Sequence, residues 1–157
     1  MNPSRPSGGS AASPPMADRL HVACPHCNAV NRLPRERRRD DPSCARCGRA
    51  LLDGRVAVLT EADFDAIVGR TELPVLVDFW APWCGPCRAM APQLERAATQ
   101  LKGDVLVAKF NSDESLSLAQ RYQLRSIPTL ILFQGGVERR RHSGALQAED
   151  ILRFARG

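Results

Sequence analysis

The sequence predicts a mixed α/β sheet sandwiched by helices, preceded by a small four-cysteine metal module. Three observations carry this. From residue 56 onward, two strand–helix–strand passages are followed by a hairpin and a last helix. Before them, Cys24-Pro25-His26-Cys27 and Cys44-Ala45-Arg46-Cys47 form two C-x-x-C knuckles with sixteen residues between them. Between the first strand–helix unit and the long helix, Cys84-Gly85-Pro86-Cys87 sits at a strand-to-helix junction.

Taken in order, residues 1–19 are rich in Pro, Ser, Gly and Ala, lack the apolar stretch of an export signal, and are expected to be a disordered tail. Residues 1–15 carry no metal ligand, and Met16-Ala17-Asp18 leads straight into the module, so translation is expected to start at Met16. Residues 20–50 form the metal module, and 51–55 read as a short linker. The domain from 55 to 157 begins with a short strand at 56–58. Thr60 then caps a helix with Asp63 three residues on, and Phe64, Ile67 and Val68 form its apolar face. Residues 75–80 are apolar on both faces, which places that strand centrally in a covered sheet. A helix is expected from about Cys84 to Leu101, with Met90, Leu94, Ala97, Ala98 and Leu101 at helical spacing and Pro92 as a kink. A strand at 105–110 follows. Leu116, Leu118, Ala119 and Tyr122 mark a short helix, and 129–134 another strand. Gly135-Gly136 turns into a strand at 137–142, and 147–156 closes the chain as a helix with Ile151, Leu152 and Phe154 available for burial.

Composition narrows the function. Apolar residues make up 43% of 157, enough for a normal core, and no stretch approaches the roughly 20 apolar residues that span a bilayer. No membrane role is expected. The net charge is +5, with 9 bases against 5 acids in residues 1–54 and 13 against 12 in 55–157. The excess centres on residues 35–41, where acids interrupt the arginines and aromatics are missing. That composition reads as a solvated loop with internal charge pairing and argues against a nucleic-acid partner.

The two knuckles fit a four-thiolate Zn²⁺ site in which Cys24, Cys27, Cys44 and Cys47 fill the shell. Cys24-Pro25-His26-Cys27 shares its letters with the active site of disulfide oxidases. The stretch after it, Asn28 to Pro34, is broken by Asn and Pro and cannot supply that site's helix. His26 is therefore a knuckle residue and not a ligand. Cys84 and Cys87 differ in setting: a buried strand before them, a helical pattern after, and Trp80 and Trp83 beside them. They form a dithiol that can close into a disulfide and reopen, which is redox chemistry without an organic cofactor.

Together, Val77-Asp78-Phe79-Trp80-Ala81-Pro82-Trp83-Cys84-Gly85-Pro86-Cys87, Met90-Ala91-Pro92, Lys109, Ser126-Ile127-Pro128-Thr129, Gly135-Gly136 and Gly144 closely resemble the thioredoxin family over residues 55–157. With the zinc module, the chain resembles the zinc-containing bacterial thioredoxins, often called thioredoxin-2. The resemblance implies a thioredoxin fold with an N-terminal zinc-ribbon-like module. It implies a protein-disulfide reductase, served by an NADPH-dependent thioredoxin reductase and acting on disulfide-containing proteins in the cytoplasm as a monomer. Cys84, at the helix N-terminus, is expected to be the attacking and more exposed thiol, and Cys87 the resolving one. Buried Asp78 is expected to have a raised pKa and to accept the proton of Cys87 through a water; pairing with Lys109 as a structural carboxylate is the other reading, and the two are compatible. Substrate contacts are expected from Trp83, Gly85, Pro86, Ile127, Pro128 and Gly144, with Ile127-Pro128 as a cis turn whose backbone pairs with a substrate strand. Trp80 reads as packing at the site's edge. Ser126 replaces the Gly of many family members and adds bulk beside the groove. The competing reading is a zinc-dependent, redox-regulated protein-binding or holdase module. No residue before Arg55 matches the active site, so the zinc module, with its structural or regulatory Zn²⁺, is expected to be dispensable for chemistry yet to matter for regulation or partner choice.

Overall fold

The computed structural model describes residues 18–157. The expected tail up to residue 17, and with it the expected start at Met16, lies outside the described residues. Arg19, assigned to the tail from sequence, is instead the first residue of a strand. That strand, β1 (Arg19–Ala23), pairs antiparallel with β2 (Val30–Pro34), so the stretch after the first knuckle is extended.

The remaining elements are β3 (Ala57–Leu59), α1 (Glu61–Arg70), β4 (Val75–Trp80), α2 (Gly85–Gln100), β5 (Leu106–Asn111), α3 (Leu116–Arg121), β6 (Thr129–Gln134), β7 (Val137–Ser143) and α4 (Ala148–Arg156). Five strands form one sheet in the order β3-β5-β4-β6-β7, parallel on the β3 side and antiparallel on the β7 side. The central place of β4 follows from its composition: five of its six residues are buried, leaving only a position with neighbours on both edges and both faces. The capping box at Thr60 and Asp63 opens α1. α2 runs through Pro92 to Gln100 as one helix, with Cys84 as its N-cap.

Period-two alternation divides the sheet into two faces. Val75, Val77 and Phe79 of β4 join Phe64, Phe110, Ile131 and Phe133 in one core. Leu76 joins Met90, Leu94, Leu130, Leu132 and Ile151 in the other, beneath α2 and α4. Phe64 is the hub of the first core, with ring centroids 5.7–6.1 Å from those of Phe79, Phe110, Tyr122 and Phe133. Phe154, expected to be buried in α4, is half-covered; Ala148 and Ala155 join Ile151 and Leu152 inside instead.

The N-terminal module is not set apart from this body. Leu20, Val22, Leu33, Leu51 and Leu52 belong to the same core as Phe64 and Phe79. Leu51 and Leu52, read from sequence as linker, are buried, because the chain there runs between the module and the sheet. Two hydrogen bonds tie β1 to the segment after α1: Glu72 N–H donates to the His21 carbonyl (2.8 Å), and Ala23 N–H donates to the Thr71 side chain at Oγ1 (3.2 Å). The arginine run does not pair internally as expected. Arg38 and Arg39 reach Asp104, and Lys102 pairs with Asp41. Gly103, at φ +80°, lets that loop approach: a Cβ there would lie 2.6 Å from Arg39 Cγ and 3.1 Å from the Arg38 carbonyl oxygen.

Candidate active site and metal centre

β4 ends at Trp80, and the chain turns through Ala81, Pro82 and Trp83 into the first turn of α2. Cys84 and Cys87 are joined there as a disulfide. A helix N-terminus presents unpaired N–H groups, and the Cys87 N–H donates to Cys84 Sγ at 3.2 Å. Cys84, expected to be the more exposed, is 4% accessible against 2% for Cys87. In the closed disulfide both sulfurs are covered, and the difference lies in which cavity each lines.

Cys84 faces an open groove of about 500 Å³ with Trp83, Gly85, Pro86, Ser126 and Ile127. Its sulfur lies 3.8 Å from the Ile127 carbonyl oxygen. The Ile127–Pro128 bond is cis, and the Pro128 carbonyl accepts from the Gly144 N–H at 2.8 Å. Ser126 lines the groove beside them. Trp83 stands 69% exposed, with its indole N–H donated to Asp113 Oδ2 at 3.0 Å. Asp113 was not legible as a site residue from sequence. The only signal was the turn chemistry of Asn111-Ser112-Asp113 at the carboxyl end of a strand, the end of a parallel sheet where sites gather.

Cys87 lines a partly open cavity of about 130 Å³ shared with Asp78, Trp80 and Lys109. Asp78 is 3% exposed and its Oδ1 has no hydrogen-bond partner. Burial pushes its carboxyl up to about 7, and the nearby Lys109 charge only partly opposes this. Lys109 lies opposite Asp78 in the β4–β5 register. Among the described residues no ion pair joins them. The Lys109 ammonium lies 5.1 Å from the centroid of the Trp80 ring instead.

The second cluster is built twice over from one turn. In each knuckle the first cysteine's N–H donates to the carbonyl five residues on, Ala29 or Arg49, and its carbonyl accepts from the N–H four residues on. That fourth residue has positive φ, Asn28 at 67° and Gly48 at 78°. The sulfurs of Cys24, Cys27, Cys44 and Cys47 all lie within 4.8 Å of one another. The cross-knuckle pairs Cys24–Cys47 and Cys27–Cys44 are 3.7 Å apart, against about 3.8 Å for the edge of a tetrahedron with zinc–sulfur bonds near 2.3 Å. N–H groups of His26, Arg46 and Asn31 point at the sulfurs. This donor set fits a zinc ion. Asn31 was missed from sequence: its side chain donates to the Ala29 carbonyl and Cys44 Sγ, and accepts from Ala45 N–H, stitching the two knuckles together.

Comparison with known proteins agrees with this geometry. A family model described as Thioredoxin matches residues 55–157, and a zinc-ribbon model described as Thioredoxin 2, N-terminal, matches residues 23–49. Thioredoxin C-3 of Corynebacterium nephridii is 38% identical over 133 residues, covering 85% of this chain and 91% of its own. The thioredoxin of Synechocystis is 53% identical over 78 residues, covering 50% of this chain and 73% of its own. Among solved structures, chloroplastic thioredoxin z superimposes with a TM-score of 0.59 at 28% identity, covering 64% of this chain and 91% of that one.

Proposed function

The chain belongs to the thioredoxin family, in its zinc-ribbon thioredoxin-2 subgroup, and is a protein-disulfide reductase of that type; on that premise we propose how its residues share the reaction. In the reduced protein Cys84 attacks a substrate disulfide. One substrate sulfur leaves as a thiol and the other is held as a mixed disulfide. Cys87 then attacks Cys84 Sγ, closing the internal disulfide and releasing the second thiol. The helix N-terminus and the Cys87 N–H favour a thiolate on Cys84. Asp78, held near 7 by burial, takes the Cys87 proton through a water at neutral pH, with Lys109 tempering its rise. Trp83, Gly85, Pro86, Ile127, Pro128 and Gly144 hold the substrate, the Ile127 backbone pairing with an extended segment.

The electrons come from an NADPH-dependent flavoprotein, thioredoxin reductase, and the protein works on cytoplasmic disulfide-containing proteins. Cys24, Cys27, Cys44 and Cys47 would hold one Zn²⁺, which would offset half of their combined thiolate charge and tie the knuckles together. A four-thiolate shell is closed, so it offers no position to substrate. The carrying observation is the two-sided placement of the dithiol: Cys84 on the groove with Ile127, Cys87 on the inner cavity with Asp78.

The test is NADPH-coupled insulin reduction. Cys84→Ser should abolish turnover, and Cys87→Ser should accumulate substrates as mixed disulfides. Stable covalent complexes on Cys84→Ser but not on Cys87→Ser would reverse the assignment. Metal analysis of freshly reduced protein should find one zinc per chain, and a content near zero would remove the metal from the reading.

A further inference from the structure

Trp80 reads from sequence as packing, but its surroundings are those of a working group. Two residues after Asp78 on β4, it shares that residue's face of the sheet. Its indole Nε1 is buried without a hydrogen-bond partner, as is Asp78 Oδ1. Both residues line the same cavity of about 130 Å³ as Cys87 and Lys109. Buried polar groups go unpaired only at a cost, and a cavity of this size with two to four polar partners accommodates an ordered water. The complement is apt: an indole N–H can only donate, and an ionised carboxylate can only accept. The backbone of Trp80 is held at its carbonyl, which accepts from Ser112 Oγ at 3.0 Å. Cys84 does not line this cavity; Cys87 does.

We propose that Trp80 is a positioning residue for the resolving step: its indole N–H pins the water that carries the Cys87 proton to Asp78, and its ring face holds the Lys109 ammonium beside that water. This rests on the assignment of Cys87 as resolving thiol. The indole N–H fills one lone pair of the water. The other lone pair accepts the thiol proton as the water gives one of its own to Asp78 Oδ1. The Cys87 thiolate then attacks Cys84 Sγ, the Cys84–Cys87 bond forms, and the bond to substrate breaks with its electron pair leaving on the substrate sulfur. The charged groups around the water are Asp78 from β4, Lys109 from β5, and Cys87, Arg88 and Glu95 from α2.

Rapid-quench measurement with reduced protein and a disulfide peptide separates formation of the Cys84 mixed disulfide from its breakdown. Trp80→Phe keeps a ring for packing and for Lys109 but removes the N–H. It should slow breakdown roughly tenfold at neutral pH, within the range of a partly lost acid–base contribution, while formation keeps its rate. The pH step on breakdown should flatten, and adding Asp78→Asn should cost little more, because the two act through one water. Ala91→Leu fills the cavity from α2 with the indole intact, and should reproduce the slow breakdown. A folded Trp80→Phe protein with the wild-type breakdown rate and pH profile would overturn the proposal. So would formation and breakdown falling together, which would mark Trp80 as packing support. Failure of the wild-type chain to form any mixed disulfide would instead sink the reductase reading beneath it.

Discussion

The proton-accepting role proposed for Asp78 would come at the expense of the fold. Its carboxyl stands at about 7 when folded, against an ordinary value of 3.8. Between those values the folded protein holds a proton that the unfolded chain releases, so stability falls as pH rises through the window. Asn cannot ionise. Asp78→Asn should therefore change stability little near pH 4, and its advantage should grow until pH passes about 7, reaching at most about 4 kcal/mol. Denaturant unfolding at several pH values checks this, and a stability difference independent of pH would contradict it. The same variant should resolve mixed disulfides more slowly at neutral pH. Asp113 calls for a different signature. It fixes an exposed indole rather than a buried proton, so Asp113→Ala should raise KM for protein substrates about threefold, the scale of one ordinary net hydrogen bond. Turnover at saturation should stay unchanged. Steady-state insulin reduction separates the two parameters.

Elements differed in how plainly the sequence announced them. β4 and β6 are legible at their true boundaries because both are buried on both faces, and no other arrangement suits five buried residues in a row. The capping box and the dithiol at the head of α2 are local chemistry and are legible for that reason. The four-cysteine cluster is legible through spacing alone. What binds the knuckles to one another is not: Asn31 looks like any polar residue in a short strand, and only the folded hairpin brings it to Cys44 and Ala45. Asn31→Ala should accordingly weaken zinc binding by about 10- to 100-fold, the usual loss when an outer-shell partner of a ligand is removed. Competition against a chromophoric chelator measures this. A variant with wild-type affinity would show that the knuckles hold their geometry without the stitch.

At the scale of the whole molecule the sequence misleads by its modularity. Motifs divide the chain near residue 55, yet the core does not divide there. Leu20, Val22, Leu33, Leu51 and Leu52 pack into the hydrophobic cluster that holds Phe64 and Phe79. Arg38 and Arg39 reach Asp104, just past the end of α2. These contacts join residues tens of positions apart, on surfaces whose sequence pattern gives no sign of a partner. Both dithiol cysteines lie at the opposite end of α2 from that junction, so the module should support the body and leave the chemistry alone. The fragment 55–157 should then differ from the full chain in stability more than in rate. Uncovering part of a core worth about 2 kcal/mol per buried Leu should lower its melting temperature by on the order of 10 °C. Insulin reduction below that transition should stay within roughly a few-fold of the full chain, because no group lining either dithiol cavity other than Val56 lies near the cut. Removing zinc from the full chain should act in the same direction and to a lesser extent, since a closed four-thiolate shell would tie down Cys24, which lies in the shared core. Calorimetry of three samples, full chain with zinc, full chain with chelator and fragment, should give melting temperatures in that descending order. A fragment as stable as the zinc-loaded chain would show that the two cores are independent after all.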